Sequence, residues 1–170
     1  IDGTGDLYNI ENIKSYASLF DHDADFITAD GGFDFSYNFN KQEQMSYRIL
    51  FCEIVTALSI QKIDGSFICK FFDIYTEFTQ SLIYLLFCCY KEVYITKPNT
   101  SRAANSEKYI VCKGFLGIDS IYLKTLYICV NTFKYVVEEN NHIHQLFEYN
   151  FNNKFISNLN KINTKFYENQ

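Results

Sequence analysis

Three charged residues lie where chains of this kind do chemistry: Asp30, Lys70 and Glu107. Asp30 ends the stretch Asp25 to Asp30, in which Phe26, Ile27 and Ala29 read as a buried strand, and it is followed by Gly31 and Gly32. Lys70 stands near the end of a second apolar run, GSFICKFFD from Gly65 to Asp73. Glu107 opens a third, NSEKYIVCKGF from Asn105 to Phe115. Acids and lysines are the groups that give, take and hold protons. In open α/β sheets ligands bind at the strand ends, and paired glycines let a backbone approach a ligand closely. Asp and Gly are also ordinary turn formers, so ADGG alone carries little. Three such strand ends could share one crevice.

The elements that must position these residues follow the chain in order. Gly3 and Gly5 flank Asp6 in a loop, and Ile10, Ile13, Tyr16, Ala17 and Phe20 are spaced for a helix over 10–20 with Asn9 as its N-cap. Asn12 takes the place where a capping box has Glu or Gln. The DHDAD loop with His22, read as a solvated histidine, leads to the Asp30 strand. After a polar, aromatic loop comes a helix over 43–60, with Met45, Ile49, Cys52, Val55 and Leu58 on one face, widened by Ile54 and Ile60. Ile63-Asp64-Gly65 reads as a turn before the Lys70 strand. A buried helix over 76–90, a strand over 92–96, a polar loop over 97–107 and a strand over 109–112 complete this part.

Strands alternating with helices predict a mostly parallel α/β sheet covered on both faces. Only a loop joins the last two strands, so they are expected to pair as an antiparallel hairpin at the sheet edge. That is the Rossmann-like pattern of S-adenosylmethionine-dependent methyltransferases, an analogy of fold. From Leu116 the character changes. Residues 120–139 read as a helix with Ile121, Leu126, Cys129, Phe133 and Val136 inward, and the stretch from His142 continues helically through Ile143, Phe147, Phe151 and Phe155. The division is therefore residues 1–115 and a helical extension, 116–170, whose aromatic stripe reads as packing.

Composition narrows the classes. The 170 residues suit one domain with a real core. Seventeen Phe and 14 Tyr without Trp, beside many Asn, Ile and Lys, look like AT-rich codon usage. A net charge of -5 has the wrong sign for a protein that binds nucleic acid by overall charge, so any RNA-binding charge is local. Cys52, Cys69, Cys88, Cys89, Cys112 and Cys129 lie in apolar runs with no C-x-x-C pair and read as reduced core thiols, with neither zinc site nor disulfide framework. The longest apolar run, Leu82 to Tyr90, is too short for a membrane span. Ile1 in place of an initiator Met is expected to mark a fragment or excised domain.

GTGDLYNIENI, ADFITADGGFDFS, ILFCEIVTALSI, GSFICKFFD and ITKPNTSRAANSEKYIVCKGF together resemble the FtsJ-like ribose 2′-O-methyltransferases, and within them the cap-specific mRNA enzymes of eukaryotes and large DNA viruses. The resemblance runs from Ile1 to Phe115 with the motifs in order. It implies S-adenosyl-L-methionine as cofactor, capped mRNA as substrate, its first transcribed nucleotide as target, and no metal. It also implies the capping or transcription machinery as partners, and an intracellular site, nuclear or, for a virus, cytoplasmic. Of the family's Lys-Asp-Lys-Glu tetrad, Asp30 matches the Asp, Lys70 the second Lys and Glu107 the Glu. Asp6 matches an acid that contacts the cofactor's adenosine part, Asp30 adjoins the cofactor, and Asn40, Lys41, Gln42 and Asn105 match positions that touch RNA. The family's Gly-rich cofactor loop, first strands and first tetrad Lys would lie before Ile1.

The chemistry gives these residue types a reason. A ribose 2′-hydroxyl is a poor nucleophile until its proton is removed or shared, which Lys70 would do, or it would stabilise the alkoxide as it develops. Flanking carboxylates push a lysine's pKa upward, so Asp30 and Glu107 are expected to orient Lys70. Singly, Asp6 could be a turn former, Lys70 a surface lysine and Glu107 half of a salt bridge; their joint order and spacing argue otherwise. Arg102 could bind phosphate or stand in solvent, and Lys97-Pro98 reads as fixing a turn. A non-catalytic RNA-binding or scaffold subunit of the same fold is the alternative. A nicotinamide dehydrogenase is disfavoured because no G-x-G-x-x-G follows a first strand.

Overall fold

The computed structural model describes residues 2–32, 41–102, 105–136, 143–148 and 151–168. The elements are α1 (Ile10–Phe20), β1 (Ala24–Ala29), α2 (Gln42–Ile60), β2 (Gln61–Phe71), α3 (Glu77–Cys89), β3 (Tyr90–Thr96), β4 (Lys108–Phe115), α4 (Ser120–Val136) and α5 (Asn153–Glu168). Helix α1 begins as its sequence requires, with the Asn9 side chain accepting from the Glu11 amide at 3.1 Å. Asn12 does not close a capping box. It is buried, and its amide donates to Asp2, Thr4 and the Asp6 carbonyl, which knits the Gly3–Gly5 loop to the helix.

The sheet order is β1-β2-β4-β3. β1 pairs parallel with β2, while β4 pairs antiparallel with both β2 and β3. Three strands therefore run one way and β4 alone runs against them, as the short β3–β4 connection requires. β4 returns between β2 and β3, which leaves β3 at the edge.

Phe67, Cys69 and Phe71 of β2 lie in register with Cys112, Ile110 and Lys108 of β4, and all six are buried. The alternate residues Ser66, Ile68 and Lys70, opposite Lys113, Val111 and Tyr109, keep part of their surface exposed. Helices α2 and α3 pack on the buried face, with α1 and α4 against α2. The expected cover on both faces is thus not met among the described residues. The reason is handedness: two right-handed crossovers, β1-α2-β2 and β2-α3-β3, that step in the same direction place both helices on one side. Phe26, expected in the core, is 60% exposed on the uncovered face of β1.

Helix α2 is the centre of the core. From Leu50 to Ile60 nearly every side chain is buried, because the sheet, α1, α3 and α4 surround it. Phe51 meets Phe133 of α4 at 4.7 Å between ring centroids and Phe78 of α3 at 6.2 Å. Met45, expected on the inner face, is one of its exposed residues. The Ile63-Asp64-Gly65 turn lies inside β2: Asp64 takes a φ of 67°, and the register jumps from Ala24–Gln61 to Phe26–Ser66.

In α4, Leu126, Val130 and Phe133 are buried at helical spacing, but Ile121 is 70% exposed. Five residues before Leu126, it sits well round the helix from that stripe. Ile143 and Phe147 precede α5 and are not helical. Phe151 and Phe155 pack against Tyr84 of α3 at 5.3 and 5.2 Å, as the packing reading expects. Among the described residues no helix is long and apolar enough to cross a membrane. Of the cysteines read as core thiols, Cys88 is exposed and Cys129 half-buried.

Candidate active site

The carboxyl ends of β1 and β2 and the start of β4 come together at one end of the sheet. Asp30 leaves β1, and its Oδ1 lies 2.6 Å from Nζ of Lys70, the penultimate residue of β2. The same ammonium approaches the Asp30 carbonyl at 3.4 Å. The lysine side chain is only 15% exposed while the aspartate's is 71% exposed. A cation sheltered by the sheet is thus offered through a carboxylate that faces solvent. Gly32 lines the ammonium, since a Cβ there would stand 3.2 Å from Nζ.

Tyr109 of β4 lies directly opposite Lys70 in the ladder. Its hydroxyl donates to Glu107 Oε1 at 2.9 Å. Burial first, and then the Glu107 hydrogen bond and the charges of Glu107 and Asp30, push its phenol up to about 12. Tyr109 stays a donor at neutral pH, and it links Glu107 to the ladder position beside Lys70. The Glu107 carboxylate is held by Tyr109 and not by the lysine itself.

The loop before β4 is braced from inside. Lys97 Nζ donates to the Asn105 carbonyl at 2.5 Å, to Asn105 Oδ1 at 2.7 Å and to the Glu107 carbonyl at 3.1 Å. Burial, then the charge of Lys108, lower the pKa of Lys97. Asn105 Oδ1 also accepts from Ser101, so the loop itself holds that oxygen. The expected turn at Pro98 is present, its carbonyl accepting from the Ser101 amide at 2.9 Å. Gln42 Oε1, at the start of α2, accepts from Ser106 at 2.6 Å, and Glu43 accepts from the amides of Tyr75 and Thr76 where α3 begins. Lys108 is 2% exposed, and its ammonium is held by Asp73 at 2.8 Å and the Ser106 carbonyl at 2.9 Å.

Lys41 precedes α2 with an exposed side chain, and Arg102 is exposed on the loop. Asn40 lies outside the described residues. Asp6 lies in the exposed loop before α1, where its Oδ1 accepts from the Tyr8 amide at 2.8 Å. A ligand there would meet a short acceptor on a loop bent by Gly3 and Gly5, at φ of 74° and 69°.

Sequence reasoning missed Glu53. It sits on the buried side of α2, 7% exposed, and its Oε1 accepts from the Gly31 amide at 2.7 Å. Burial raises its carboxyl above the usual carboxylate range, against the pull of that hydrogen bond. A carboxylate inside the apolar run ILFCEIVTALSI was the available signal. Tyr109 and Lys97 were missed as well, because neither role shows until the β2–β4 register and the loop are known.

Known proteins resemble this chain over most of its length. A family model described as FtsJ-like methyltransferase matches residues 3–115. Cap-specific mRNA (nucleoside-2′-O-)-methyltransferase 1 of Homo sapiens is 45% identical over 139 residues, 77% of this chain and 17% of that protein. The protein of the same name from Danio rerio is 41% identical over 143 residues, 79% of this chain and 17% of its own length. That of Trypanosoma cruzi (strain CL Brener) is 40% identical over 131 residues, 76% of this chain and 36% of its own. The chain therefore spans well under half the length of these relatives. A match across most of the sheet, with Asp30, Lys70 and Glu107 inside it, shows that the chain belongs to the FtsJ-like methyltransferase family.

Proposed function

We propose that this chain belongs to an S-adenosyl-L-methionine-dependent RNA ribose 2′-O-methyltransferase that acts on the first transcribed nucleotide of capped mRNA, and that it carries cofactor and acceptor residues of that site. The observation that carries the reading is the Lys70–Asp30 pair, 2.6 Å apart at the ligand-binding end of the sheet, with Glu107 one hydrogen bond from the tyrosine beside it. Residues 1–115 form the methyltransferase part and 116–170 a helical extension packed on it. Nucleus, or cytoplasm for a viral gene product, is the place of action, beside the capping or transcription machinery.

The residues present fit the cofactor. Asp6 presents an acceptor suited to ribose hydroxyls on an exposed loop, and Gly32 puts no side chain over the Lys70 ammonium. S-adenosyl-L-methionine would supply a methyl group activated by its sulfonium charge. Lys70 would take the proton of the ribose 2′-hydroxyl when its amine is neutral, or, as the ammonium, donate to the alkoxide as it forms. Asp30 would fix the lysine's direction, and Glu107 would act through Tyr109 to hold the β4 side of the crevice. Lys41, Gln42, Asn105 and Arg102 would meet RNA from the rims, a local basic and polar lining that suits a chain of net negative charge, and Asn40 is proposed as a further RNA contact from its sequence position alone.

The test is methyl transfer from labelled S-adenosyl-L-methionine to short capped RNA by the complete gene product, followed by digestion to nucleosides. Label in a 2′-O-methyl nucleoside next to the cap supports the reading. A folded product that binds RNA and transfers nothing across capped and uncapped RNAs supports the scaffold alternative.

A further inference from the structure

Glu53 is a costly group in an unexpected place. It lies inside the helix that forms the centre of the core, where an isolated carboxylate is expensive unless hydrogen bonds repay it. Its partners belong to the two strands that carry the proposed chemistry. Oε1 accepts from the amide of Gly31, the residue after Asp30. Oε2 lies 3.6 Å from the thiol of Cys69, the residue before Lys70. Gly31 has no room for a side chain, because a Cβ would stand 2.5 Å from Oε1 and 2.8 Å from Ile49 Cγ1. Cys69 points into the buried face and Lys70 to the other, so Glu53 grips both strands from behind the sheet.

We infer that Glu53 is a positioning residue: its carboxylate holds the Gly31 amide and the Cys69 thiol and thereby sets Asp30 against the ammonium of Lys70. This rests on the methyltransferase reading of the site. Charged Asp30 and Lys70 act on Glu53 from β1 and β2, while Tyr8 and Cys52, near Asp6 and Arg48, lie on its helical side. Glu53 touches no reacting atom in this account. It acts through the Asp30-Gly31 turn.

Two substitutions in the complete gene product separate placement from charge. Glu53→Gln keeps an oxygen acceptor at the same reach. Glu53→Asp keeps the charge but withdraws it by one methylene. Displacement of a catalytic group by about 1 Å costs on the order of 10²-fold, so Glu53→Asp should lower kcat by roughly that factor with KM for capped RNA little changed. Glu53→Gln should restore most of the rate. An Asp variant at the wild-type kcat, or equal loss in both variants, overturns the proposal. A second measurement needs neither activity nor a variant: hydrogen exchange of the Gly31 amide in the wild-type protein, which should be far slower than that of Gly32. Equal exchange overturns the positioning role even in an active enzyme, whereas an inactive wild type with a protected Gly31 amide counts against the methyltransferase reading alone.

Discussion

Gly31→Ala is the most demanding single perturbation of this site, and its size follows from the geometry. The new Cβ would lie 2.5 Å from Glu53 Oε1, 2.8 Å from Ile49 Cγ1 and 3.1 Å from Glu53 Cδ. Neither neighbour can yield cheaply, since Glu53 is fixed by Gly31 and Cys69 and the helix around it is close-packed. Overpacking of this kind costs about 1–3 kcal/mol. Lengthening a hydrogen bond to a buried carboxylate forfeits part of roughly 1.5–3 kcal/mol more. Together these give about 2–5 kcal/mol, and at roughly 2–4 °C per kcal/mol for a chain of this size Tm should fall by about 4–20 °C. Gly5→Ala is the control. It has a φ of 69° and nothing within 4 Å of a built Cβ, so only backbone strain of about 1–2 kcal/mol opposes it. Thermal unfolding followed by circular dichroism compares the two. A Gly31→Ala protein that melts within about 2 °C of wild type, against the 2–4 °C per kcal/mol used here, would refute the contact on which the positioning argument stands.

Other substitutions test neighbouring links. In Gly32→Ala the Cβ meets only the flexible end of Lys70 at 3.2 Å, so stability should change by less than about 0.5 kcal/mol while methyl transfer slows by roughly 10-fold or more; unchanged transfer would show that the ammonium needs no fixed place. Burial raises the Glu53 carboxyl above its ordinary 4.5, so the folded protein holds that proton to higher pH than the unfolded chain does. Its contribution to stability is full below 4.5 and is lost as pH rises through the raised folded value. Glu53→Gln should therefore gain stability relative to wild type over that window in urea titrations, and a flat or opposite difference would contradict the burial argument. Lys97→Met removes three hydrogen bonds from the loop before β4 and should cost about 1–3 kcal/mol while raising KM for RNA more than it lowers kcat, as paired unfolding and kinetic measurements would read.

Local signals in the sequence were strong where neighbours in the chain decide the structure. Helix α1 and its Asn9 cap were legible to the residue, because the cap and the apolar spacing are both local. The strand carrying Lys70 was legible because Phe67, Cys69 and Phe71 alternate along it, and the end of β1 because its apolar run stops at Asp30. Tyr90 was read as the end of α3 but begins β3, where Phe115 pairs with it and its hydroxyl donates to Gln61 at 2.6 Å. Those partners lie 25 and 29 residues away, beyond any local pattern. Ile63-Asp64-Gly65 reads as a turn before the Lys70 strand but lies inside β2, since pairing with β1 begins before it and resumes beyond it. Asp30 and Lys70 could be expected to share a crevice, yet the sequence held no sign that Tyr109 would stand between Glu107 and Lys70. Nor did apolar periodicity register Glu53: its place in an apolar run marked it as unusual, but its role follows only from its partners at Gly31 and Cys69.

The central claim is that Lys70, aimed by Asp30, takes the proton of the attacking ribose hydroxyl as the neutral amine or donates to the forming alkoxide as the ammonium. Single-turnover methyl transfer to capped RNA by the complete gene product, wild type beside Lys70→Ala, tests it most directly, with RNA binding measured on the same samples. The account predicts that the variant binds RNA as the wild type does and loses at least about 10²-fold in the rate of 2′-O-methyl formation, the scale of a general acid–base group. A Lys70→Ala protein that transfers the methyl group at the wild-type rate would contradict it.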